Sequence, residues 1–260
     1  MRGMAREIAK SGRYVAVSMD YRWAGTADGD AVGNTMADLI GDVFGGLAHI
    51  QEHAVEYGGD PQRIAVTGDS AGGHLAAVAA TMTDKIGSDG FGFTPGVFEF
   101  RPSYLPPGTT PEQVGTKLAA AIKAAAPSYG VFSDAGEGRT ALQHYADHAV
   151  ADASWAAAIA PIHHIPAVSV RAVPHYLIRG TVDPLISFEM VDDYAMALQM
   201  QGQTVQHVEV EGASHAFFDW KPDAQTRATF AQYGVPYIKD MLVFFDQVFH
   251  DGQTVSGDKP

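Results

Sequence analysis

The stretch IAVTGDSAGGHLAA, Ile64 to Ala77, decides how the rest of the chain is read. Ile64–Gly68 is a short apolar run with β-branched residues, the pattern of a buried strand. From Ala71 onward the composition turns alanine-rich, and the spacing predicts a helix to about Thr83. Ser70 falls in the turn between them, inside Gly68-Asp69-Ser70-Ala71-Gly72, which fits G-x-S-x-G. A serine on so tight a strand-to-helix turn is held with strained backbone angles and an exposed hydroxyl. The flanking glycines, Gly68 and Gly72, are expected to relieve clashes there. The helix that follows points its positive end at the site. Ser70 is therefore a candidate nucleophile, and the N–H of Ala71 a candidate oxyanion donor.

Working outward, strand and helix patterns alternate. Gly3–Ser11 reads as an amphipathic helix and Tyr14–Asp20 as a strand. A long helix follows over about Asn34–Tyr57, with an apolar stripe at Met36, Leu39, Ile40, Val43, Phe44, Leu47 and Ile50. GGDPQR ends it. Downstream come strand His175–Gly180, helix Phe188–Gln201, strand Thr204–Val210 and a closing helix over Val235–Phe249. Between these, AAIKAAAPSYGVFS reads as a helix end and a strand. This alternation implies an α/β fold with a mostly parallel sheet and helices on both faces. Two segments interrupt it, at about 84–112 and 133–173. The first is rich in glycine, proline and aromatics (Phe91, Phe93, Phe98, Phe100, Tyr104), which suits either local packing that pins a long loop or a lid or acyl-pocket wall. The expected organisation is one domain over 1–260 with two lid-like insertions.

Composition narrows the function classes. At 260 residues, 46% hydrophobic and 18% charged, the chain has the makings of a folded core. A formal net charge of -13 argues against nucleic acid or an anionic membrane surface as partner. With no cysteine there is no disulfide, zinc–thiolate site or cysteine nucleophile. No apolar run approaches the roughly 18 residues of a membrane span. The N-terminus does not read as a signal peptide, which leaves the cytoplasm as the default expectation. Oligomeric state stays open, a homodimer included.

A nucleophilic serine needs a base, and the base needs an orienting carboxylate. LIRGTVDPLIS places Asp183 just after one strand, and VEVEGASHAFFDW places His215 just after the next. Both fall at the C-terminal edge of a parallel sheet, where ligands gather. Each has a plainer reading, as a turn aspartate before proline and as a structural histidine. Their order after Ser70 favours the joint one.

With these residues in place, the chain resembles the α/β-hydrolase superfamily, in particular hormone-sensitive-lipase-like esterases and related carbohydrate esterases. VAVSMDYR, YGGDPQRIAVTGDSAGGHLAA, LIRGTVDPL and GASHAFF carry the resemblance in order, over most of the chain. It implies Ser70 as nucleophile, His215 as general acid/base, Asp183 as its partner, and cofactor-free hydrolysis of short-chain carboxylic esters. One departure stands out. The family's His-Gly-Gly loop is missing before the first helix, and so is the strand leading into it, which would lie between Tyr14–Asp20 and Ile64–Gly68. Two outcomes follow: residues missing upstream of Met1, which is the favoured expectation, or direct pairing of the two flanking strands. An incomplete oxyanion hole keeps a weak or non-catalytic hydrolase-fold protein as the alternative.

Other motifs carry less. Gly136-Glu137-Gly138-Arg139-Thr140-Ala141 fits a dinucleotide pattern, but Glu137 would repel a pyrophosphate. Asp28-Gly29-Asp30 with Gly33 fails as a calcium loop at Val32 and Leu39. His163-His164 lacks a third ligand at metal spacing. No cofactor or metal is expected. His74 and Phe217 are candidate substrate neighbours, each with packing as the plainer role. Arg22 is expected to pair Asp42 or Asp69.

Overall fold

The computed structural model describes residues 2–23, 33–88, 100–138, 142 and 153–250. Its centre is a four-stranded, all-parallel sheet in the order β1 (Ile64–Asp69), β2 (Ile122–Ser128), β3 (His175–Gly180), β4 (Val205–Val210). Successive neighbours in sequence are neighbours in space, each joined by helical crossovers, as parallel pairing requires. The helices are α1 (Arg2–Lys10), α2 (Met36–His53), α3 (Ala71–Thr81), α4 (Pro111–Ala121), α5 (Ala153–Ile159), α6 (Phe188–Met200), α7 (Ala224–Thr229) and α8 (Val235–His250).

Local chemistry sets the boundaries. Thr35 caps α2 in a reciprocal pair with Asp38, so the helix begins at Met36 rather than Asn34. Its predicted stripe is buried from Met36 to Leu47. Thr110 and Gln113 form the same box at the head of α4, with Pro111 in the first turn. α4 then runs straight into β2, whose Ile122 also ends the helix. Alternate strand residues feed two apolar clusters: Val66 and Ala125 join one with α2, α3 and α4. Ala65, Ala124 and Ala126 join the other with α1, α6 and α8.

Two expectations need correction. Tyr14–Asp20 is extended but is not a strand: among the described residues it pairs with no strand, and β1 pairs only with β2. Direct pairing of the two segments is therefore not what the structure adopts. Side chains hold the segment instead. Tyr14 donates to Asp246 Oδ1 at 2.6 Å, Arg13 bonds the other oxygen, and Arg22 grips Asp42 at 2.8 Å and Asp38 at 3.3 Å. Val15 and Val17 are left exposed. The first irregular segment also holds more structure than expected, since α4 begins inside it at Pro111. Phe100 is fully buried and Ser103 N–H donates to Gly41 O at 2.9 Å, so this stretch packs on α2. Phe91, Phe93, Phe98 and the Asp28–Asp30 stretch lie outside the described residues.

Candidate active site

Ser70 sits at φ 55°, ψ −117°, a region a side-chain-bearing residue rarely adopts. Such a conformation costs about 1–3 kcal/mol and persists only where its surroundings impose it. The imposing contacts are visible. Ser70 N–H donates to Ser128 O on β2 at 3.1 Å, and Ser70 O accepts from His74 N–H at 3.1 Å in the first turn of α3. A Cβ on Gly68 would overlap the Gly72 carbonyl, so Gly68 is sterically required. Gly72 has open space around it, while a Cβ on Gly73 would strike the Ser128 carbonyl. The two positions where a side chain is excluded are thus Gly68, which lies on the Gly72 carbonyl, and Gly73, which lets α3 lie against β2; Gly72 itself, the second glycine of the motif, has room for one.

Asp183 and His215 come from the loops after β3 and β4. Those loops are bonded to each other: Val182 N–H donates to Ala213 O, Thr181 N–H to Val210 O, and Gly212 N–H to Thr181 Oγ1 at 2.9–3.1 Å. Asp183 is buried at its carboxylate. One oxygen accepts the N–H groups of Leu185 and Ile186 at 2.8 and 3.0 Å. The other accepts from His215 Nδ1 at 2.8 Å. His215 Nε2 lies 2.9 Å from Ser70 Oγ. With Nδ1–H held by the carboxylate, the lone pair of Nε2 faces the serine hydroxyl. That is the arrangement in which an imidazole can take a hydroxyl proton.

A residue not singled out from the sequence ties these loops together. Tyr129 follows β2 and has φ 32°. Its N–H donates to Ile178 O on β3 at 2.7 Å. Its hydroxyl donates to Asp69 Oδ2 at 3.1 Å and accepts from Phe218 N–H at 3.2 Å, while its ring stands edge-on to His215. Burial, and then the charge of Asp69, push the Tyr129 hydroxyl well above its usual range, so it remains a donor. Burial likewise raises Asp69. A signal did exist in SYG at the end of the third predicted strand, but nothing local says that the tyrosine turns back toward Asp69.

Ala71 opens α3, so its N–H is among the first of the helix, which have no intrahelical partner. His74 and Phe217 lie behind the site, 2% and 1% exposed. His74 Nδ1 donates to Val131 O at 2.7 Å, and burial lowers its pKa to about 4. Phe217 packs on Tyr129 and Phe218. As they stand, both shape the site from within the core. Arg22 pairs Asp42, not Asp69. His163 bonds Asp134, and His164 the Ala157 carbonyl. Among the described residues, His49, Glu52 and His53 form the group of potential metal ligands, at the far end of α2.

Comparisons with known proteins agree with this architecture. The profile of a family described as alpha/beta hydrolase fold matches residues 1–219. A probable carboxylic ester hydrolase of Mycobacterium tuberculosis, LipM, is 30% identical over 225 residues, covering 78% of this chain and 42% of its own length. Esterase LipQ of the same organism is 30% identical over 187 residues, 68% of this chain and 38% of its own. The chain thus spans less than half the length of either relative. Among solved structures, the butyrate-bound esterase Est2 of Thermogutta terrifontis superposes with a TM-score of 0.55 at 25% identity, over 84% of this chain and 69% of that one. The parallel sheet, the serine on its strand-to-helix turn and a profile match through residue 219 lead to one conclusion: the chain belongs to the alpha/beta hydrolase fold family.

Proposed function

We propose that the chain is a serine hydrolase that cleaves short-chain carboxylic esters through an acyl-enzyme. The observation that carries this reading is the unbroken hydrogen-bonded line from Asp183 through His215 to a strained Ser70. In the first half-reaction His215 Nε2 takes the Ser70 proton as Oγ attacks the ester carbonyl carbon. The resulting oxyanion is stabilised by the Ala71 N–H. The bond to the alcohol then breaks, and His215 returns the proton to the leaving oxygen. In the second, water loses a proton to His215 and attacks the acyl carbon. The acid departs and the Ser70 hydroxyl is restored. Asp183 keeps the imidazole in the productive tautomer and stabilises its protonated form.

The names of LipM and LipQ support ester hydrolysis, and the butyrate in the Thermogutta esterase supports a small acyl group. The direct test is a fluorophosphonate probe together with p-nitrophenyl butyrate. The expected result is covalent labelling mapped to Ser70, ester turnover, and loss of both in Ser70→Ala. A folded chain that takes up no probe and turns over no ester would overturn the reading and leave a non-catalytic hydrolase fold.

A further inference from the structure

The last turns of α2 bring together a group of side chains with a chemistry different from that at Ser70. His49 and His53 are four residues apart, so both imidazoles rise from one helix face. Their ring centroids are 4.4 Å apart. Glu52 lies beside them, and one ligand atom from each of the three falls within 4.8 Å of the others. Around a zinc ion, with bonds of about 2.0–2.1 Å, tetrahedral ligand atoms stand about 3.3 Å apart. All three side chains are at least partly exposed, so the remaining approach needs only side-chain rotation.

The surroundings orient the group for a metal. Glu56 Oε1 accepts from His53 Nδ1 at 2.8 Å. This leaves the Nε2 lone pair of His53 directed to the side of Glu52, whose Oε2 is 3.6 Å away. A carboxylate holding one imidazole nitrogen while the other binds metal is the usual outer shell of a histidine ligand. Tyr104, from the stretch anchored on α2, donates its hydroxyl to Glu52 Oε2 and sets its ring edge-on to His49 at 5.3 Å. A carboxylate oxygen retains a lone pair beyond the one Tyr104 uses.

We propose that His49, Glu52 and His53 bind one divalent transition-metal ion of the zinc class, with Glu56 and Tyr104 as its outer shell. Two imidazoles and one carboxylate suit zinc, nickel, cobalt or copper, whereas magnesium and calcium favour oxygen ligands. The site stands apart from Ser70. The chain passes from α2 to the start of β1 within residues 54–63, and Ser70 follows the far end of that strand. Six strand residues span about 20 Å. The ion would therefore fasten the end of α2 to the Tyr104 stretch rather than act on an ester. This proposal does not depend on the hydrolase reading.

The test is calorimetric titration of the whole, chelator-treated chain with zinc chloride, repeated with cobalt and read by its visible absorption. One zinc per chain is expected. His49→Ala and His53→Ala should each weaken it by at least about 100-fold and Glu56→Gln by about 10-fold. His163→Ala, at an exposed histidine–carboxylate pair elsewhere on the surface, should leave it unchanged. Circular dichroism checks the fold, and His49→Gln serves if the alanine variant does not fold. No one-site binding, or one-site binding that survives both histidine substitutions, would overturn the assignment.

Discussion

Two regions of this molecule are fixed by different means. At the C-terminal edge of the sheet, the loops carrying Ser70, Tyr129, Asp183 and His215 are joined by backbone hydrogen bonds that cross from strand to strand. Among the described residues the segment from Gly12 to Trp23 shows no such ladder, and Tyr14, Arg13 and Arg22 anchor it through their side chains. Backbone bonds between neighbouring loops leave few degrees of freedom, so they can hold a strained serine within 2.9 Å of an imidazole. Side-chain anchors on an exposed segment only keep it near the surface. Precision is thus concentrated where neighbouring strands pair and the loops that follow them bond to one another.

The largest effect should come from breaking the precise region at its carboxylate. Asp183→Asn should slow fluorophosphonate labelling of Ser70 by about 10⁴-fold while leaving the fold intact. A labelling rate close to that of the unmodified chain would show that His215 does not depend on Asp183.

Next is the pair of glycines. Gly68→Ala forces the Gly72 carbonyl to move and should cost about 2–4 kcal/mol in urea unfolding. Gly72→Ala, into open space, should change stability by less than about 1 kcal/mol. Equal effects would mean that the packing of the turn is not what makes the glycine necessary.

Acid should loosen the core at both edges of the sheet, behind the site at His74 and at the start of β3 at His175. Burial lowers His74 and His175 from 6.5 to about 4, and both are 2% exposed or less. Between those values the unfolded chain binds protons that the folded chain refuses. Stability is therefore complete above pH 6.5 and falls toward pH 4, by about 1.4 kcal/mol per pH unit for each histidine. Urea midpoints at pH 7 and pH 4.5 measure this, and His175→Gln should lessen the slope by one histidine's share. A midpoint that does not move would contradict it.

Tyr129→Phe removes the partner of Asp69 and of the Phe218 N–H, and should cost about 1–3 kcal/mol with slower labelling of Ser70. Smallest of all, Arg13→Ala should shift stability by no more than about 1 kcal/mol, because its pair with Asp246 is half exposed. A larger loss would mean that the extended segment is more tightly built than its lack of a ladder indicates.

Much of this was legible in one dimension because the chemistry is local. A strand, a glycine, a serine and a helix within fourteen letters define the turn at Ser70, whatever surrounds it. Asp183 and His215 stand out by their order and by their place just after predicted strands, and the structure brings both of them to Ser70. The central strand β2 was harder to read. IKAAAPS has weak strand propensity and follows a helix without a break, yet its burial against α3 overrides that preference. The short α7, capped by Asp223 and without a buried residue, and the π-type turn Phe230–Gly234 that leads into α8 lie outside the predicted elements, since neither carries an apolar periodicity of its own.

By itself, the sequence determined the alternation of strands and helices, the strained turn and the residue types that could act on an ester. These are set by periodicity, glycine placement and side-chain chemistry within a few residues. Only the tertiary structure decided that Gly73, not Gly72, meets β2, that Tyr129 bridges Asp69 and the histidine turn, and that Tyr14–Asp20 stays out of the sheet. It also decided that Tyr104 reaches Glu52 beside His49 and His53. Each of these depends on groups far apart in the chain meeting across packed elements, and no local pattern encodes that distance.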